Sequence, residues 1–477
     1  MVRTQKSRIN PFLGKVLVLC MVLSYTSCRQ GPEKAKFPGT PDLAAQIDTL
    51  IRPLSNSNNF SGMVFVKQKD SIVLSKPYGY ADRESRTKTT VRTKFLIGSI
   101  SAMFTAVAIM QLVEEGKLSV DDPLHQFIPQ IANSERITIH HLLTERSGLP
   151  RVVSQADGSY TKLTKTAHTL DALVDLIKEL EPIAEPGAKY RHSGSSYILL
   201  AKVIELVSGA SFGEYLEHKI FSPLGMTDTG HFGYDKVYDH IQDLAIGYEQ
   251  EGVTELKRAE RIHWSTKIGH ASIYSTAHDL NTFAEAMMRK KLLTSDSWTK
   301  MTTSYYGSTL GYGMSSKRQD DRLRHYRSGS SPGFSCYFVV YPEEGLTVIM
   351  LSNIKIHIPY FNVPKIAAIV FGEDYEQLNL VSPTEVKYDL AREMLGTFQF
   401  DENFYNPNGT VTITYDHGML LSDGAPLIPV VGQEGQIIKF INRQFWSRLE
   451  FVPDSLGNYS KLKFDNFMGE RSRFPNQ

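Results

Sequence analysis

A chain of 477 residues has room for one large domain with a sizeable core and a smaller second domain. Its 41% hydrophobic and 22% charged residues are those of a globular protein, which excludes a fibrous or disordered chain. Lys and Arg (52) nearly balance Asp and Glu (51), and a net charge of +1 without any basic run argues against a nucleic-acid-binding surface.

The chain opens with Arg3, Lys6, Arg8 and Lys15, then an apolar stretch at 16–23, then small residues up to Cys28, which is the order of a targeting segment. The apolar stretch is short for a membrane-spanning helix. Ser24-Tyr25-Thr26-Ser27-Cys28 resembles a bacterial lipoprotein box, with Tyr25 where leucine is usual. That resemblance implies a signal peptide at 1–27, cleavage before Cys28, lipidation of its thiol and a lipidated tether at 28–41. The expected location is the bacterial cell envelope, as a membrane-anchored lipoprotein facing the periplasm; the alternative is a secreted protein with a stray cysteine. Cys20 leaves with the signal peptide, so Cys336 is the one remaining unmodified thiol, no disulfide forms within one chain, and stability must come from the core.

Leu43, Ile47, Leu50 and Ile51 are spaced for a helix over 42–51. The runs 62–66 and 71–74 read as paired strands around a polar turn at 67–70. Next, Phe95, Leu96 and Ile97 meet Gly98 and Ser99, and Phe104, Ala108, Leu112 and Val113 then recur at helical spacing up to Gly116. A serine at the start of a buried helix is either an N-cap or a nucleophile, since unpaired N–H groups and the helix dipole favour negative charge there. Further on, 186–209 contains an apolar-rich helix, 274–288 opens with a capping sequence before Leu280, Phe283 and Met287, and 335–352 spells strand, turn, strand. From about residue 388 short apolar segments at 395–400, 411–415, 418–421, 437–441, 445–452 and 461–464 alternate with Asn, Asp, Gly and Pro, the texture of a small all-β module. The expected architecture is α+β: helices covering an antiparallel sheet over 42–382, then a β-domain over 383–477.

Several stretches resemble, in order and spacing, the serine β-lactamase and penicillin-binding protein family, in its class C β-lactamase, esterase and D-peptidase branch. They are FLIGSISAMFT around Ser99, ITIHHLLTERSGLP at 137–150, FSPLGMTDT at 221–229, YSTAHDL at 274–280, and PGFS at 332–335 followed by LSN at 351–353. The resemblance covers roughly residues 42–370 and implies that fold; the last segment is similar to the lipocalin-like appendages some members carry, with its interior filled by side chains.

In the family, catalysis rests on S-x-x-K, Y-x-N, and K-T-G or H-x-G, because a serine hydroxyl needs a base within reach and donors for the oxyanion. The resemblance places the nucleophile at Ser99, but the lysine position is Ala102. Pro186, Gly187, Tyr190, Ser193 and Tyr197 set the register of the second motif, so its tyrosine is His192 and its asparagine is Gly194. The third motif becomes Arg327-Ser328-Gly329, with His325 two residues before on the same face of a strand. A cation persists at Arg327, with a planar fork suited to a carboxylate. Framing residues are kept while four chemical positions have changed, so the fold is expected to persist with impaired or absent catalysis, and Ala102 suits a buried helix better than a lysine does.

Candidate residues are therefore Ser99 at the nucleophile position, His192 as a candidate base, and Ser193, Arg327 and Gly329 for binding, with Cys28 for lipidation. Three functions stay open: a pseudoenzyme whose cleft binds a small-molecule, acyl-amide or peptidoglycan-derived ligand; an active serine hydrolase, esterase or peptidase, using a Ser99–His192 pair; and an envelope scaffold. No cofactor is implied, and no histidine spacing points to a metal.

Overall fold

The computed structural model describes residues 42–153, 162–235, 238–251, 255–319, 321–377, 380, 386–405, 408–432 and 436–472. The expected signal peptide, Cys28, the expected tether and the expected boundary at 382/383 lie outside these residues.

A six-stranded antiparallel sheet forms the frame. Across it run Ser315–Gln319, Arg322–Ser331, Phe334–Tyr341, Leu346–Ser352, Gly62–Gln68 and Ser71–Tyr78. The first strands of the chain thus join the last ones of the domain, with Val64 opposite Met350. Side chains alternate between the faces, so each strand feeds two cores. Met63, Phe65, Phe338 and Ile349 face one side, where the helix Ala277–Met288 packs on the sheet with His278 against Phe65 and Phe283 against Phe338, and the helices Ser101–Glu114 and Gly194–Ser208 join the same core. Val64, Val66, Val339 and Val348 pack on the other against Leu43–Asn56 and Ile358–Phe371. The helix over 42–51 extends to Asn56, capped by the Asp42 carboxylate, and the helix expected near 274–288 runs Ala277–Met288 with Thr276 as its N-cap.

The helix Ser101–Glu114 is apolar all round because it is buried all round. Ala102, Ala106 and Ala108 keep it slim, and Gly313 comes close enough that a Cβ there would lie 2.6 Å from the Ala102 carbonyl oxygen.

The C-terminal segment is an eight-stranded closed antiparallel barrel, Gly396–Gln399 through Phe467–Arg471, closed by pairing of Phe398 with Arg471. Phe398, Phe400, Ile413, Leu420, Leu427, Phe440, Leu449 and Leu462 fill its interior. Two strands escaped the sequence reading. Ala425–Val431 carries Pro426 and Pro429, which argue against a strand, yet it pairs with Ile437–Asn442 through a register shift at Val430/Val431. Phe467–Arg471 is too short and polar to announce itself.

Candidate functional site

Ser99 lies in a 3₁₀ turn, Gly98–Ile100, between the short strand Phe95–Leu96 and the central helix. The turn is pinned from three sides. Gly98 has φ +55, open to glycine at little cost, and a Cβ there would lie 2.6 Å from the Ser330 nitrogen. A Cβ at Gly329 would lie 1.9 Å from the Ile97 carbonyl oxygen, so the strand Arg322–Ser331 can approach the turn only as glycine. The Arg327 Nε donates to the Ser99 carbonyl oxygen at 3.3 Å.

Two clefts meet at Ser99. One, of about 280 Å³, is lined by Ser99, His192, Gly194, Ser195, His270 and Ser330 together with Arg151, Lys267 and Lys355. The other, of about 520 Å³, is lined by Ser99, Tyr190, His192, Leu310, Tyr326, Arg327 and Ser330, among others. Sequence reasoning therefore placed Ser99, His192 and Arg327 in one neighbourhood. Ser193 is buried and donates to the Pro150 carbonyl oxygen at 3.1 Å, Gly329 serves the approach to the turn, and neither lines these clefts. His325 accompanies Ser316, 2.9 Å away, and burial pushes its imidazole down to about 4.

Glu145 organises the chemistry. Its carboxylate is 1% exposed, 3.0 Å from Arg327 Nη2 and 2.6 Å from His192 Nδ1. Burial alone pushes this carboxyl up, but the His192 hydrogen bond and the Arg327 charge outweigh it and hold it down at about 2. A carboxylate only accepts, so His192 Nδ1 carries a proton, and in the neutral form of the ring Nε2 is the acceptor. Glu145 follows the helix Ile139–Leu143 with φ +54, a left-handed backbone that suits glycine, held by the two contacts of its side chain. Ala102 is fully buried on the neighbouring helix. Among the described residues no hydrogen bond joins the Ser99 hydroxyl to His192.

The smaller cleft is cationic. Burial and the charges of Arg151 and Lys355 bring the Lys267 amine down to about 8. Arg151 Nε donates to the His192 carbonyl oxygen at 2.8 Å, and Lys355 reaches Glu249 at 3.4 Å. His270 lies deep beside Lys267, and burial, reinforced by the charges of Lys267 and His192, holds its imidazole down at about 3.

Sequence reasoning missed Glu145, Arg151, Lys267 and His270. Glu145 and Arg151 flank the SGLP segment, where they and Arg146 put three charges beside an apolar frame and were a usable signal; nothing local marks Lys267 or His270. Among the described residues no group of His, Cys, Asp and Glu has the arrangement to hold a metal ion.

Comparisons with known proteins show the family. "Putative penicillin-binding protein PbpX" from Bacillus subtilis is 32% identical over 318 residues, covering 65% of this chain and 76% of that protein. A crystal structure of a penicillin-binding protein from Bacillus halodurans superposes with a TM-score of 0.60 at 28% identity, over 68% of this chain and 98% of that one. An octameric penicillin-binding protein homologue from Pyrococcus abyssi shares the fold at 24% identity and a TM-score of 0.63, over 89% of this chain and 99% of that one. The family described as Beta-lactamase matches residues 47–368, most of the chain, with the serine turn, Glu145, His192 and Arg327 all inside the match. By sequence, sheet order and the placement of Ser99, the chain belongs to the β-lactamase and penicillin-binding protein family of serine hydrolase homologues.

Proposed function

We propose that this protein is a catalytically impaired member that keeps the cleft beside Ser99 as a binding site for an acyl-amide ligand of the peptidoglycan-peptide type. The observation that carries the reading is the state of the base. Position 102 is a fully buried alanine, and the two groups facing Ser99 from the other motifs, His192 and Arg327, are both committed to Glu145. The ion pair of Arg327 with Glu145 neutralises the cation beside the serine turn, and no amine stands at position 102 to take the hydroxyl proton. Loss of a member of a coupled nucleophilic set costs on the order of 10⁶ in rate, so Ser99 should resist acylation. The test is incubation with a fluorescent penicillin and a fluorophosphonate: no stoichiometric labelling within minutes is expected, while acyl dipeptides bind by calorimetry.

One observation favours a second reading. The 2.6 Å contact between Glu145 and His192 Nδ1 orients an imidazole as an acidic residue does in a nucleophilic triad, with Nε2 available to Ser99. Prompt labelling of the wild type, lost in Ser99→Ala, His192→Ala and Glu145→Gln alike, would establish a Ser–His hydrolase in place of the binding reading.

We also infer an envelope location with a lipid anchor at Cys28, on the strength of the charged, apolar and small-residue order before it. Cys28→Ala should leave the membrane fraction or stay unprocessed; its recovery in membranes, correctly processed, removes the anchor.

A further inference from the structure

Position 194 carries no side chain, and an imidazole occupies the space where one would stand. A Cβ at Gly194 would lie 2.7 Å from both Cε1 and Nε2 of His270 and 3.1 Å from Nδ1, closer than side-chain carbons approach a ring. In the aligned second motif this position is the asparagine. Exchange of asparagine for glycine and the ring of His270 are thus two halves of one spatial exchange.

The ring shares the cleft of about 280 Å³ with Ser99, His192 and Ser195. His270 Nδ1 lies 3.4 Å from the Ile268 carbonyl oxygen. A carbonyl only accepts, so Nδ1 carries the proton, and Nε2, on the edge facing Gly194, is an acceptor. Burial keeps the ring neutral at physiological pH, so this tautomer persists. An asparagine offers both a donor and an acceptor at such a position; this imidazole offers only an acceptor.

We propose that His270 stands in for the family's asparagine as the specificity-determining group of the cleft, its Nε2 accepting a hydrogen bond from an amide N–H of the bound ligand. The proposal rests on the reading of the cleft as an acyl-amide site. It selects for ligands with N–H at that point over those with an ester oxygen, whose lone pairs would face the lone pair of Nε2. Arg151 and Lys267, lining the same cleft, supply donors for ligand carbonyl oxygens.

The experiment is calorimetric titration of the full-length protein with acetyl-D-alanyl-D-alanine and its two ester isosteres, in each of which one amide N–H is replaced by oxygen. The wild type should bind one of the esters about five- to tenfold more weakly than the peptide, the effect of roughly one neutral hydrogen bond. His270→Phe keeps a ring against Gly194 and removes the acceptor, and it should bind the peptide and that ester alike. His270→Ala carries the same comparison should the phenylalanine variant fail to fold. Independently, Gly194→Ala should lower the melting temperature, and adding His270→Ala should restore most of the loss, because the clash disappears. Equal binding of all three ligands by the wild type, or a preference that survives in both His270 variants, overturns the role of His270 and leaves the acyl-amide reading standing. Failure of the wild type to bind any of the three overturns both.

Discussion

Glu145 holds a left-handed backbone, a near-complete burial and side-chain contacts to both Arg327 and His192, and each of these costs something that only the cluster as a whole offsets. Removing the carboxylate leaves Arg327, 10% exposed, as a buried charge without its counter-ion. Glu145→Gln should therefore destabilise the fold by about 3–5 kcal/mol, read by urea denaturation at neutral pH. The pH dependence has a definite sign. The carboxyl is depressed in the folded state, to about 2 from an ordinary 4.5, so its contribution is fully present above about 4.5 and is lost as pH falls toward 2. Stability of the wild type should fall through that window with a steeper slope than that of Glu145→Gln; parallel slopes would remove Glu145 from the account. Ala102→Lys tests the same cluster from the other side. An ammonium forced into a fully buried position loses its hydration, and the Glu145 carboxylate is already paired with Arg327, so the variant should melt lower than the wild type and still fail to label with penicillin. The replaced positions were legible in the sequence because framing residues set their register. Glu145 as their partner was not, because a pairing across 47 residues of chain leaves no local pattern.

At the scale of elements, the site depends on how closely the strand Arg322–Ser331 can approach the serine turn. That approach is written in Gly329, where even a methyl group would meet the Ile97 carbonyl oxygen at 1.9 Å, backbone against backbone with no flexible side chain to yield. Gly329→Ala should push the strand away from the turn and break the contact from Arg327 Nε to the Ser99 carbonyl oxygen. The expected result is a clear drop in melting temperature together with loss of acyl-dipeptide binding; an unchanged protein would mean that the turn moves freely. The strands and helices of this region follow the sequence reading closely, since period-2 and helical spacing survive wherever one face is buried. The barrel was less legible. Pro426 and Pro429 sit in a real strand because a bulge at Val430/Val431 relieves the ladder there, and only pairing partners distant in sequence reveal it.

The whole molecule joins its parts through a shared apolar layer. Ile428, Val430, Ile441 and Trp446 of the barrel belong to the same buried cluster as Ile51, Val64, Val348, Ile358 and Ile366 of the main domain. Arg443, fully buried, donates from Nε to the Asn59 side-chain oxygen at 2.9 Å, and Lys439 and Arg448 both pair with Glu376. The sequence sets a boundary at 382/383 on a change of texture near 388, but surface-facing residues of a strand cannot be told from interface residues by pattern. With this contact layer a chain ending at Ser382 would expose the outer face of the helices Leu43–Asn56 and Ile358–Phe371 and strip Asn59 of its partner. Such a chain should aggregate or melt far below the full-length protein. Trp446→Ala, which empties one anchor, should cost about 3–5 kcal/mol. Calorimetry of the intact protein should then show one cooperative transition that the tryptophan variant shifts as a unit. Two separate transitions, or a shortened chain that melts where the full chain does, would show that the layer is contact without coupling. Because the serine cleft is built on the same sheet whose far-side core the barrel residues join, a coupled layer also means that loosening the barrel weakens ligand binding at Ser99, and titrating Trp446→Ala with acetyl-D-alanyl-D-alanine measures by how much.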